Sequence, residues 1–137
     1  MPSNALADTG PLVALFDRGD PEHERARRFF SGFKGNLVTT WPVMTEVCHL
    51  LPLYAVDRFM AWAGAGGLVL YELPPDALAG LKKLMRKYAD LPMDLADASL
   101  VWLADQIDLL DVVTLDHRDF AAYRTSTGRP FRSLLAL

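Results

Sequence analysis

The chain has 137 residues, 51% of them hydrophobic and 23% charged, which suits one globular domain spanning residues 1–137 and calls for no second core. A net charge of −3 and a pI near 5.5 argue against a protein that grips nucleic acid over its whole surface, although local contact stays open. The N-terminus has no basic leader, and no run approaches the roughly 18 apolar residues of a membrane span, so a cytoplasmic protein is expected.

Short apolar runs alternate with helical patterns, the signature of a parallel α/β sheet covered on both faces. Ala5 to Ala7 with Asp8 read as a first strand stopped by Gly10 and Pro11, and Leu12 to Phe16 begin a helical stretch. Asp20 can cap, and Pro21 open, a second helix whose early Glu22 and Glu24 and later Arg27 and Arg28 match the helix macrodipole. The β-branched run 37–40 predicts strand two. Pro42 then starts a helix that sets Val43, Val47, Leu50 and Leu51 inward and ends or kinks at Pro52.

The single cysteine, Cys48, excludes an intrachain disulfide and reads as a buried helical thiol in a reducing compartment. A further helical piece runs through Trp62, glycines 64, 66 and 67 break it, and residues 68–73 form strand three. Helices follow Pro74-Pro75 and Pro92. Residues 112–115 make strand four, ending at Asp116, and 131–137 make a fifth strand or a frayed tail. Basic residues gather at Arg25, Arg27 and Arg28, at Lys82, Lys83, Arg86 and Lys87, and at Arg124, Arg129 and Arg132, which ordinary solvated faces would explain.

The informative residues are acids where the pattern expects apolar side chains. Glu46 lies three residues after Val43 and four before Leu50, on an inward face, so it needs either a cationic partner or a function. Asp94 and Asp97 share one face at a helix start. Asp94 is explained by capping, whereas a cap needs only one acid. Asp8 and Asp116 each end a strand, and in open parallel sheets the strand carboxyl ends border the ligand crevice; either alone is also an ordinary way to begin a loop.

Two carboxylates about 4 Å apart repel by about 4 kcal/mol at an effective dielectric near 20, so three or four would consume much of a typical stability of roughly 5–15 kcal/mol. Such a cluster persists when a cation occupies it, and an all-oxygen set suits Mg²⁺ or Mn²⁺. His23, His49 and His117 lack zinc spacing, and no P-loop, G-x-G-x-x-G or nucleophile elbow is present. Metal-assisted phosphodiester hydrolysis is left.

These segments resemble the PIN-domain family and, within it, the VapC-type toxins of toxin–antitoxin pairs. LADTGPLVALFD looks like the family's first strand with its leading acid, Asp8, and Thr9 beside it. TEV resembles the motif of the second acid, Glu46; MDLADASLVWLA is similar to the D-x-x-D-A segment, with Asp97 the metal acid and Asp94 auxiliary. VVTLDHRDF resembles the closing T-x-D-x-D-F, with Asp116 the fourth acid and Asp119 a weaker fifth. The likeness runs from Asp8 to Phe120, departing at Gly10-Pro11 and carrying no motif between 52 and 90.

The resemblance implies a three-layer α/β/α sandwich with a central parallel sheet of four to five strands, a homodimer, and Mg²⁺- or Mn²⁺-dependent cleavage of RNA. Asp8, Asp97 and Asp116 would ligate one or two ions and Glu46 would orient the second ion or the water. Thr9 or Thr114 would hydrogen-bond a carboxylate or substrate, and Arg118 would meet a phosphate. An antitoxin would cover apolar surface and insert a basic side chain among the acids. Trp41, Tyr54, Met60 and Trp62 lie where it would dock, although core packing is expected for most of them. The competing readings are a catalytically silent PIN-like binding module and a stand-alone RNA-processing nuclease.

Overall fold

The structure is a computed structural model and describes residues 3–135. Five parallel strands form one sheet: β1 (Ala5–Ala7), β2 (Leu37–Thr40), β3 (Val69–Tyr71), β4 (Asp111–Val113) and β5 (Arg132–Ser133), in the order β3-β2-β1-β4-β5. Leu6 stands in register with Val38 on one side and Val112 on the other. β1 and β2 are buried along their whole length, as expected of strands covered on both faces, while the edge strand β3 is largely exposed.

The helices are α1 (Thr9–Phe16), α2 (His23–Gly32), α3 (Trp41–Leu50), α4 (Leu53–Trp62), α5 (Leu78–Lys87), α6 (Leu95–Ile107) and α7 (His117–Ala122). The chain steps one way from β1 to β2 and β3, then returns past β1 to β4. Right-handed crossovers therefore put α5 and α6 on the face opposite α1 and α2. α1 packs on α2, and α5 on α6. This is the expected α/β/α sandwich, and its reversal of strand order falls between β1 and β4. The core is built from Leu6, Leu12, Val43, Val47, Phe59, Leu100, Val101, Leu103, Val112, Val113 and Phe120, each at most 2% exposed.

Several boundaries differ from the sequence expectation for local reasons. α1 begins at Thr9, with Gly10 and Pro11 inside its first turn, where proline's missing N–H costs nothing. The second helix starts at His23 because Asp20 caps a turn instead, its Oδ1 accepting the Glu22 N–H at 2.8 Å. Leu50 is 55% exposed, and Leu51 turns inward in its place. Cys48 is half-buried, its thiol 3.7 Å from the Met60 sulfur, and that burial raises its pKa.

Strand three is shorter than expected, at Val69–Tyr71, and strand four stops at Val113, so Asp116 lies three residues past its end and caps α7, a helix the sequence reading did not include. In the wide turn that follows α4 (Ala63–Gly67), Gly66 has φ at 107°, and Gly67 lies so close to the Trp62 indole that a Cβ there would come within 2.3 Å of it. The fifth strand is present at Arg132–Ser133; residues 136 and 137 of the expected 131–137 segment lie outside the described residues. No helix among the described residues is long and apolar enough to cross a membrane.

Candidate metal centre

Beyond the carboxyl ends of β1 and β4, at the reversal of strand order, a cavity of about 400 Å³ is lined by Asp8, Thr9, Gly10, Glu46, Leu50, Asp94, Asp97, Leu115 and Asp116. Five carboxylates line it and no lysine, arginine or histidine does.

Asp8 closes β1 and is 6% exposed. Its amide donates to the Val113 carbonyl across the sheet, and its Oδ2 accepts the Thr114 hydroxyl at 2.7 Å. The same Thr114 Oγ1 accepts the Asp116 N–H at 2.9 Å, so one buried hydroxyl ties the first acid to the loop that carries the fourth. Burial pushes the Asp8 carboxyl from 3.8 up to about 6; the Thr114 and Thr9 hydrogen bonds oppose that rise, and the Glu46 and Asp116 charges add to it.

Asp94 and Asp97 arrive together from the start of α6. The Asp94 side chain accepts the Asp97 N–H at 2.8 Å, and Asp97 Oδ2 accepts the Asp94 N–H at 3.4 Å. This reciprocal capping box means that both acids, not one, serve the helix end. Asp97 carries a second burden: burial, then the Asp8 and Asp94 charges, lift its carboxyl to about 8. Tyr123 Oη lies 3.4 Å from its Oδ2.

Glu46 enters from α3, half-buried, with no salt bridge among the described residues. Burial raises its pKa. Thr9 opposes the rise and Asp94 reinforces it, although Thr9 Oγ1 is buried and meets no partner in good hydrogen-bond geometry. Asp119 and Arg118 do not line the cavity. Asp119 sits on α7 behind Asp116, where burial and the Asp116 side chain raise its pKa, and Arg118 is exposed on the same helix. The sequence reading missed Tyr123, Leu50 and Leu115. Tyr123 lies outside every motif and joins the site only through the turn after α7.

The donor set fits a hard divalent cation, being all oxygen and free of competing positive charge. Among the described residues, no three acids converge tightly enough to ligate one ion unaided. The fit is therefore of donor type, with water completing the coordination, as Mg²⁺ ordinarily requires.

Two other surfaces complete the picture. A hollow adjoining the acid cavity shares Glu46 and Asp94 with it and is otherwise lined by Trp41, Pro42, Thr45, His49, Leu95 and Ala96. A larger one of about 640 Å³ lies toward the starts of β2 and β3, with Phe16, Phe30 and Trp62 among its walls and Arg18, Arg27 and Arg58 among its cations. Trp41, Tyr54 and Met60 are about half exposed, contrary to the core packing expected for most of this group, while Trp62 packs on Phe16 at 5.2 Å. Of the basic clusters, Arg25, Arg27, Arg129 and Arg132 pair with Glu22, Glu24, Asp108 and Asp111; Lys82, Lys83, Arg86 and Lys87 on α5 are exposed.

No family model matches the sequence. Ribonuclease VapC26 of Mycobacterium tuberculosis is 32% identical over 132 residues, 92% of this chain and 96% of that protein. The crystal structure of Mycobacterium tuberculosis VapC20, a toxin that cleaves the sarcin–ricin loop, aligns with a TM-score of 0.71 and 18% identity over 84% of this chain and 91% of that one. A toxin–antitoxin complex from Klebsiella pneumoniae aligns with a TM-score of 0.65 and 21% identity, over 86% and 91%. The two structures speak for the fold, and the sequence relative, matched along nearly its whole length, for the lineage: the chain belongs to the VapC ribonuclease family of PIN-type proteins.

Proposed function

We propose that this chain is a Mg²⁺- or Mn²⁺-dependent endoribonuclease, a single catalytic domain of the cytoplasm, and the toxin of a toxin–antitoxin pair. The observation that carries the reading is the cation-free carboxylate cavity at the strand-order reversal, in a chain related along its length to a ribonuclease. Asp8, Asp97 and Asp116 would hold the ion, with Glu46 facing it from α3. A divalent ion held there supplies the Lewis acidity that activates water for in-line attack on a phosphodiester.

The chain's own residues do the rest. Thr114 keeps Asp8 and the Asp116 loop at a fixed separation through its two hydrogen bonds. The capping box fixes where Asp94 and Asp97 leave α6. Glu46, with no fixed partner of its own, is free to orient a water, and the open cavity admits an RNA backbone. Leu50 and Leu115 supply its apolar edge.

Exposed Trp41, Leu78 and Leu95 form the face that a second copy would cover in a homodimer, next to the acid cavity. An antitoxin would cover Tyr54, Met60 and the hollow walled by Phe30 and Trp62, whose arginines favour an acidic segment, and would bring a basic side chain to the acids. A second reading, a silent PIN-like module whose acids receive a partner's arginine, draws support from the absence of three converging ligands among the described residues.

One experiment separates the two: cleavage of total RNA with Mg²⁺ or Mn²⁺, with EDTA, and with Asp8→Asn or Asp97→Asn. The nuclease reading expects cleavage that needs metal and is lost in both variants. Intact RNA with the folded parent protein and either metal would favour the silent module.

A further inference from the structure

Tyr123 belongs to none of the motifs, yet its side chain is fully buried with its hydroxyl directed at the acid cluster. The ring is held edge-on by Phe120, with centroids 5.1 Å apart, and by Tyr88, 5.0 Å away. Its Oη has one hydrogen-bond acceptor among the described residues, Asp97 Oδ2 at 3.4 Å. The neighbouring Tyr88 hydroxyl is engaged elsewhere, accepting the Arg124 N–H at 2.9 Å.

The two oxygens of Asp97 are therefore unequal. Oδ2 accepts from the Asp94 amide and from Tyr123, while no hydrogen bond among the described residues reaches Oδ1. We propose that Tyr123 is a positioning residue: it pins Oδ2 of Asp97 so that Oδ1 is the oxygen presented to the divalent ion. This rests on the metal-dependent reading above and extends it to a residue outside its set. A phenol suits the role, because it keeps its proton at neutral pH and so donates, and a ring wedged between two aromatics cannot swing away. Outer partners of this kind typically set metal affinity by 10- to 100-fold, because they fix the ligand's orientation before the ion arrives.

The test is Tyr123→Phe in the full chain, which keeps the ring and its packing and removes only the hydroxyl. Mn²⁺ affinity is read from the free-Mn²⁺ electron paramagnetic resonance signal, with thermal melting in EDTA as the folding control. The expected result is affinity about tenfold weaker in a variant that melts cooperatively. Tyr88→Phe, which alters the same aromatic cluster without touching Asp97, should bind Mn²⁺ as the parent does. In an Asp97→Asn background, Tyr123→Phe should add no further loss, since the two residues act through one contact. Parent-like Mn²⁺ affinity in Tyr123→Phe, or an equal loss in Tyr88→Phe, overturns the assignment and leaves the metal centre standing. A parent chain that binds no Mn²⁺ overturns both.

Discussion

The two ends of β4 carry the same residue type in opposite circumstances. Asp111 opens the strand and is gripped by Arg132, whose Nε and Nη2 each lie 2.9 Å from a different carboxylate oxygen. Asp116, past the other end, shares its cavity with Asp8, Glu46, Asp94 and Asp97 and with no cationic side chain. The pairing at the first end repeats at Glu22 with Arg25, Glu24 with Arg27 and Asp108 with Arg129. Four acids thus pair with arginines among the described residues, whereas the five at the strand-order reversal share one cavity with no cation beside them. Other surface acids among the described residues also lack a salt bridge, but they stand apart in water; what distinguishes these five is that they converge on one cavity without a cation.

The largest test of that contrast is Asp8→Asn. It should abolish metal-dependent cleavage while making the metal-free protein more stable. Folding raises the Asp8 carboxyl from 3.8 to about 6, so between those values the folded chain holds a proton that the unfolded chain has released. Stability in EDTA therefore falls as pH rises through this window and stays low above it. About two pK units at 1.36 kcal/mol each give a penalty of roughly 3 kcal/mol at neutral pH, which the amide escapes. Urea unfolding in EDTA should show the variant more stable than the parent near neutrality, with the gap closing toward pH 4. Mn²⁺ should reverse the parent's trend, since deprotonated carboxylates bind it best. A parent as stable as the variant at neutral pH in EDTA would mean that Asp8 is not under charge stress.

Next in size is Thr114→Val, which keeps the shape and removes a buried hydroxyl that donates to Asp8 and accepts from the Asp116 amide. Losing two hydrogen bonds, one to a carboxylate, should cost about 2 kcal/mol in urea unfolding and weaken cleavage, since the two strand ends are no longer tied. A neutral substitution would mean that the two acids are held by the backbone alone.

Much of this architecture was legible in the sequence because short parallel strands buried on both faces leave apolar runs no surface pattern can imitate, as in residues 37–40 and 112–113. Asp8, Glu46, Asp97 and Asp116 stood out as acids in apolar company, and the fold brings all four to one cavity. Asp97 was legible for an incomplete reason, because Asp94 and Asp97 divide the two halves of one capping box and both acids face the cavity. Tyr123 could not be read, since a buried tyrosine's partner lies 26 residues away and is set by the turn after α7. Trp41, Tyr54 and Met60 were misjudged because an apolar residue on a helix looks the same in sequence whether it turns to the core or to the surface.

The smallest expected effect lies at the paired end of β4. Arg132 is 73% exposed on its side chain, so its bond to Asp111, though bidentate, competes with water and salt. Arg132→Ala should shift urea unfolding only slightly, less still at 1 M salt, and leave metal-dependent cleavage unchanged. Set beside Asp8→Asn, it inverts every sign: removing charge from the paired end slightly weakens the fold and spares activity, whereas removing it from the unpaired end strengthens the metal-free fold and ends activity. If Arg132→Ala instead markedly destabilised the fold, or changed cleavage, the two ends of β4 would not be electrostatically separate, and the acids of the cavity would have to be counted as part of one charge network with those at the edge.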